Sequence, residues 1–389
     1  MTFQYSKKPS PAFAPRTASL LAAAALSLGA LAPTLATADT PATAVAAPAV
    51  VKQVVRKAVA PALYEVVYSP RQNAVFVASA GGFGPDAPAS QILRVDPDTM
   101  EVVATIPVKD RAFGLALDDA NDTLYTGNTL DGSINAIDIR NNTLRGTLQL
   151  IERAPKGERA PLHLRELLVD ADKHRLYLPA LGTEDSTLFV VDTRDFKLIK
   201  AVPGLGRVST GVALDSSRER LYVVNFEGKL VTIDTNALEI ANIQQTTVEQ
   251  PTNLAYDAAA RRLYVTDQGQ ERITEMQKKY APGFESRHPG GRVAVVNPDT
   301  AEVVGDADVG KGALGIVIDG QNAYSANRIA GTVTVIRRAD NAVVSSYVLP
   351  AHPNSLALDS QGKRLFVTVK NGQDAPKGAA ENLARIQLQ

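Results

Sequence analysis

The chain of 389 residues contains no cysteine. That excludes disulfides, thiolate metal sites, cysteine nucleophiles and a lipid-modified N-terminal cysteine, so core burial alone must stabilise the fold. Histidine is scarce: His163, His174, His288 and His352 show no H-x-H or H-E-x-x-H spacing, and no zinc site is expected. No G-x-S-x-G elbow, phosphate-binding P-loop or EF-hand loop is present. Gly81-Gly82-Phe83-Gly84 follows a strand-like run without opening a helix, which is a weak nucleotide signal. Helix patterns are nearly absent, Glu271 to Lys279 being the one candidate. Charge of either sign is not in excess, with 41 Lys and Arg against 41 Asp and Glu.

Residues 1–38 read as a secretory signal: Lys7, Lys8 and Arg16 form a basic start, Ala18 to Ala32 is an apolar run, and Ala36-Thr37-Ala38 is an A-x-A cleavage site. Pro33 and the Ala-rich weakness of the run argue against a retained membrane anchor, so no transmembrane segment is expected after cleavage. An exported chain without cysteine suits a bacterial periplasm. Without the three leader cations the mature chain carries 38 basic and 41 acidic residues, which argues against indiscriminate coating of nucleic acid. Residues 39–49, rich in Ala, Pro and Thr, read as a disordered linker.

What the chain does contain is a repeat. Residues 210–238 run from the apolar stretch ending in Asp215, through a polar turn, to Leu221-Tyr222-Val223-Val224, the turn Asn225-Phe226-Glu227-Gly228 and the alternating Lys229 to Asp234. Short β-branched and aromatic runs bounded by Asp, Asn, Gly and Ser are strands of an antiparallel meander. The phrase recurs with anchors Ser69, Asp118, Asp170, Asp215, Asp257, Asp319 and Asp359, spaced by 49, 52, 45, 42, 62 and 40 residues. Such a period with several strands per unit predicts an all-β, seven-bladed β-propeller of four-stranded antiparallel blades. One aromatic recurs in the second strand of every unit (Phe76, Tyr125, Tyr177, Tyr222, Tyr264, Tyr324, Phe366) and is expected to fill the space between blades. The last unit shows only three strands, and a ring must close to remove its edges. The run Val50 to Arg56 is therefore expected to supply the fourth strand, giving a propeller over 50–389 with an insertion at 268–291.

Leu263-Tyr264-Val265-Thr266-Asp267 and its six relatives resemble the YVTN family of bacterial β-propeller repeats. The phrases Gly206 to Asp215, Gly127-Asn128-Thr129 and His352-Pro353-Asn354-Ser355-Leu356-Ala357-Leu358 resemble its periplasmic YncE-like branch. The likeness implies the fold over about residue 50 to the end and leaves the activity open.

In a propeller, loops joining the second and third strands share a face with the linkers between blades, and ligands enter the central channel there. Four residues before each anchor stand Glu65, Gly114, Glu166, Gly211, Asn253, Gly315 and Ser355, small or polar in every blade, as a wall facing a narrow channel would require. One residue earlier stand Tyr64, Phe113, Arg165, Thr210, Thr252, Leu314 and Asn354. Linkers place Lys109, Arg111, Arg153, Lys156, Arg159, His163, Arg165, Arg207, Lys311 and His352 on the same rim, joined by Arg328 from a strand-connecting loop. The candidate channel-mouth residues are Glu65, Arg111, Phe113, Asn128, Arg165, Glu166, Arg207, Asn253, Arg328, His352 and Asn354. Arg165 beside Glu166 reads first as a structural ion pair. The insertion mixes Arg272, Lys278, Lys279, Tyr280, Phe284, Arg287, His288 and Arg292 with Glu271, Glu275 and Glu285, as either a solvated elaboration or a surface for anions and stacked bases.

Three readings follow. The first is a monomeric, non-catalytic periplasmic protein, without cofactor, that binds on its basic loop face an anionic ligand, single-stranded DNA or another polyanion, or a protein partner. The second is a metal-assisted hydrolase or lyase, by analogy with propeller lactonases, using Glu65 or Glu166 with Asn253 and His352. The third is a structural role in the cell envelope.

Overall fold

In a computed structural model, which describes residues 54–82, 87–155 and 160–389, the chain forms seven antiparallel sheets, each a blade of a β-propeller. The leader and linker read from the sequence lie outside the described residues. The last sheet runs in the order Val54–Ala60, Glu381–Gln387, Arg364–Lys370, His352–Asp359, so the N-terminal strand closes the ring as the three-stranded last repeat required.

Position within a blade explains composition. The second strand has blades packed on both faces, and Leu221 to Val224 is a continuous buried run. The outermost strand Glu239–Gln245 has one side in solvent and is mostly exposed. The seven recurring aromatics are all buried and join neighbouring blades: Tyr125 packs with Leu164 and Leu176 of the next blade, Tyr222 with Leu254 and Leu263, and Phe366 with Val95 and Met100 across the closure. Each such ring contributes roughly 1.5–3 kcal/mol of hydrophobic burial. The recurring aspartate has two tasks. Asp215 Oδ1 accepts from Ser217 Oγ at 2.6 Å and the Arg218 amide at 3.3 Å, closing the turn, while its Oδ2 accepts from Tyr256 of the next blade at 2.6 Å. Asp257 likewise pairs with Arg338 one blade on.

Blade 5 carries the largest departure from the repeat. Between Arg262–Asp267 and Arg292–Val296 the chain forms one helix, Glu271–Tyr280. Its two roots are tied by a buried ion pair, Arg292 Nε to Asp267 Oδ2 at 3.1 Å.

Candidate functional site

The innermost strands surround the axis, and five of the seven are irregular at one level. Registers slip between Leu63 and Val66, Pro251 and Leu254, Ala313 and Gly315, and Pro353 and Leu356. In blade 3 the inner strand splits into Leu162–Leu164 and Leu168–Asp170, leaving Arg165, Glu166 and Leu167 unpaired between them. Bulges re-aim side chains that a regular ladder would hold in place. Here they bring Glu65, Arg165, Glu166, Asn253, Asn354 and Ser355 onto one axial cavity of about 110 Å³.

Acidic and basic side chains meet on this cavity. Glu65 Oε1 accepts a short hydrogen bond from Ser355 Oγ, and its carboxyl is pushed up to about 8, first by burial and then by the Glu166 charge, against the opposing pull of Ser355 and Arg165. Glu65 and Glu166 are half-buried on the wall of this small cavity, where the surrounding protein disfavours the charged form. Burial also raises the Glu166 carboxyl, and Arg165 lowers it. Among the described residues neither glutamate forms an ion pair, so the expected Arg165–Glu166 bridge gives way to a longer-range attraction, because Arg165 and Glu166 occupy a strand break rather than a ladder.

Arg328 donates from Nη1 to Asn354 Oδ1 at 2.8 Å, and its carbonyl oxygen lies 2.9 Å from His352 Nδ1. Burial, then repulsion from Arg165, lowers its pKa. Lys370 lies 3.8 Å over the Tyr64 ring, donates to Leu63 O at 2.5 Å and pairs with Glu381 at 3.1 Å. Burial lowers the Lys370 ammonium too, Glu381 opposing, with Arg328 and Arg165 adding to the fall. Phe113 packs on Tyr64 with ring centroids 4.2 Å apart. Tyr64, Lys370 and Glu381 also line a larger cavity of about 580 Å³ between Gly81-Gly82 and the loop 371–379.

The other candidates go elsewhere. Asn128 is fully buried inside blade 2, where Thr126 donates to its Oδ1 at 3.0 Å and its Nδ2 donates to Ser133 at 2.9 Å, so it braces the strand end rather than lining the mouth. Arg111 donates from Nε to Gly82 O at 3.3 Å. Arg207 is neutralised by Glu184 at 2.8 Å and lies 4.8 Å over Tyr280 of the insertion. Arg153 is held by Asp110 and Asp131, and Lys311 by Glu271. Lys156 and Arg159 lie outside the described residues. Among the described rim cations, Arg153, Arg207 and Lys311 are thus neutralised by carboxylates, and Arg165 and Arg328 stand near the axis with Lys370 close to both. Lys370, Glu381 and Tyr64 were absent from the candidate set; the signal for them is the charge pair Lys370 and Glu381 flanking a loop in a blade whose strands are otherwise apolar there.

The small residues of the wall register also have another cause. A Cβ on Gly114 would stand 1.7 Å from Arg165 O, and one on Gly211 or Gly315 would stand 2.8 Å from the carbonyl of Thr252 or Asn354 in the next blade. Close passage of the neighbouring backbone demands glycine there, rather than a narrow channel. Gly114→Ala is expected to destabilise the protein by about 1–3 kcal/mol in urea denaturation. Relief of the clash should also move Arg165, whose carbonyl oxygen meets the added methyl.

No protein-family model matches the chain. It is 30% identical over 344 residues to a protein described as uncharacterized protein YncE from Salmonella typhi, covering 87% of this chain and 91% of that one. It is 32% identical over 343 residues to the protein of the same description from Escherichia coli K12, with the same coverages of 87% and 91%. Among solved structures it resembles the RRP9 WD40 repeats (TM-score 0.66, 11% identity, 88% of this chain and 99% of that one). It also resembles hydrazine synthase of Kuenenia stuttgartiensis (TM-score 0.60, 14% identity, 79% and 92%). At such identities these two structures speak for the fold alone.

Proposed function

The chain belongs to the YncE family of β-propellers, and we propose that it is an exported periplasmic binding protein whose channel mouth takes an anionic group of its ligand between Arg165 and Arg328. The observation that carries this reading is that Arg165 lines the axial cavity while Arg328 bonds to Asn354 of the same cavity, near enough for the Arg165 charge to lower the Arg328 pKa, with neither forming an ion pair with a carboxylate among the described residues. Holding two like charges together on partly desolvated ground is unfavourable by itself, and an anion reverses the sign. Tyr64 and Phe113 beside them supply aromatic surface for the rest of the ligand. Single-stranded DNA fits the combination of phosphate and stacking surface, and other polyanions share the phosphate part. Export rests on the leader pattern of residues 1–38.

The test is fluorescence anisotropy of a labelled oligothymidylate against the leaderless protein across a salt series. Two or three phosphate contacts predict a logarithmic salt slope of about −1.4 to −2.1, much shallower than a full basic rim would give. Arg165→Gln with Arg328→Gln should abolish binding while shifting the melting temperature little, since the repulsion removed offsets the lost attraction of Arg165 to Glu166 and the lost Arg328–Asn354 hydrogen bond. Salt-independent binding, or binding that survives the double substitution, refutes the assignment.

The metal-assisted alternative finds no support in ligand geometry: among the described residues no three of His, Asp and Glu come together as a metal would need.

A further inference from the structure

The insertion in blade 5 contributes almost nothing to the core. Of its helix only Gln277 is buried, and that residue is polar. The helix is instead held by specific hydrogen bonds: Gln277 Nε2 to Glu249 O at 2.5 Å, Gln250 Nε2 to Thr274 Oγ1 at 2.9 Å, and the Gln270 amide to Gln250 Oε1 at 2.7 Å. The returning chain is pinned by one buried carboxylate, Glu249, which accepts from Ser286 Oγ at 2.5 Å and the Arg287 amide at 2.8 Å. A satisfied polar network of this kind fixes the insertion in place with little buried apolar surface. Between the insertion and blade 4 lies an open cleft of about 590 Å³, lined among others by Phe226, Tyr280, Phe284, Arg207 and Arg287.

The walls have a definite chemistry. Phe226 and Tyr280 meet at 85° with centroids 6.3 Å apart, forming a corner into which a third flat ring packs by edge and face. Tyr280 is 53% exposed, a large aromatic left open inside a concavity rather than on a convex surface. Arg207 over Tyr280 is already neutralised by Glu184 and serves to orient the ring. Arg287 differs: its side chain is 73% exposed, and its guanidinium lies 3.9 Å from a Glu249 carboxylate that other donors already occupy. It keeps donors for a planar anion. The volume lies in the range of small-molecule sites. We propose that this pocket is a second ligand site, independent of the channel mouth, for a small planar aromatic carboxylate, its ring in the Phe226–Tyr280 corner and its carboxylate on Arg287.

The chain contains no tryptophan, so indole emission reports on an indole probe alone. Indole-3-acetate titrated with the leaderless protein should show saturable anisotropy, with Kd in or below the roughly millimolar range set by a ligand of about a dozen heavy atoms. Tyr280→Ala and Phe226→Ala should each weaken it about tenfold. Arg287→Gln should weaken it several-fold and abolish the preference for indole-3-acetate over neutral 3-methylindole. Melting curves check that Tyr280→Ala, at an exposed ring, leaves the fold intact. The double substitution of Arg165 and Arg328 should leave indole-3-acetate binding unchanged, which separates this site from the channel mouth. Absence of saturation, or binding that survives both ring truncations, overturns the site. Equal binding of the acid and 3-methylindole overturns its assignment to carboxylates.

Discussion

Arg292→Ala is expected to lower the free energy of unfolding by about 3–5 kcal/mol, the range for removing one partner of a buried pair. Asp267 is fully buried and its carboxyl is raised by burial, despite hydrogen bonds from the Glu249 and Gln250 amides and the charge of Arg292. Without the guanidinium, which also donates to Thr247 O at 2.9 Å and pairs with Asp306 at 2.9 Å, a carboxylate remains in a dry site. The loss should shrink at low pH, where Asp267 can take up a proton. Asp267→Asn, which keeps an oxygen for the amides, should cost less, about 1–3 kcal/mol. Because these residues are the two roots of the insertion, Arg292→Ala should also weaken indole-3-acetate binding. Urea denaturation at pH 5 and pH 8 decides the matter: a loss under about 1 kcal/mol at both values would refute the buried-pair account.

The second large effect is a fall in stability with rising pH. The Glu65 carboxyl stands at about 8 in the folded protein against an ordinary 4.5, so the folded state holds a proton that the unfolded chain releases. The stabilisation is fully present below the unfolded value and is lost as pH rises through the folded one. One proton corresponds to a slope of about 1.4 kcal/mol per pH unit, up to about 4 kcal/mol between pH 5 and 8. Glu166 and Asp267, both raised by burial, act with the same sign. Carboxylates held low by hydrogen bonds, such as Asp138 at about 2, are ionised in both states throughout this window and leave it unchanged. Glu65→Gln keeps an oxygen for Ser355 and carries no charge, so it should flatten the profile and gain stability at pH 8. Denaturation midpoints that rise or stay level from pH 5 to 8 in the parent protein would sink the idea.

Much of the architecture was legible in the sequence, because each blade repeats one hydrophobic phrase and each phrase has one way to bury both faces. The aromatic at Tyr222 and its six counterparts identifies the space between blades, and a last unit one strand short calls for the N-terminal run Val50 to Arg56, which the structure supplies somewhat later in the chain, as Val54–Ala60 beside Glu381–Gln387. The site was legible in part. Glu65, Arg165, Glu166, Asn253, Arg328 and Asn354 were placed near the axis by counting back from anchors or along loops, and the structure gathers them there. Counting could not distinguish them from Asn128, whose amide is enclosed by Thr126 and Ser133, nor could it show that Arg153, Arg207 and Lys311 are neutralised by partners distant in sequence.

The sequence by itself determined the number of blades, their strand order, the closure of the ring and the identity of the core, because those follow from local periodicity and the need to pair every edge. The tertiary structure alone decided which charges remain available and where they point. A register slip turns a side chain without changing its neighbours in the chain, and an ion pair such as Arg207 with Glu184 or Arg292 with Asp267 exists only once separate strands and loops have met. At the channel mouth both effects coincide: a break in one inner strand leaves Arg165 outside the ladder, near enough to Arg328 to lower its pKa.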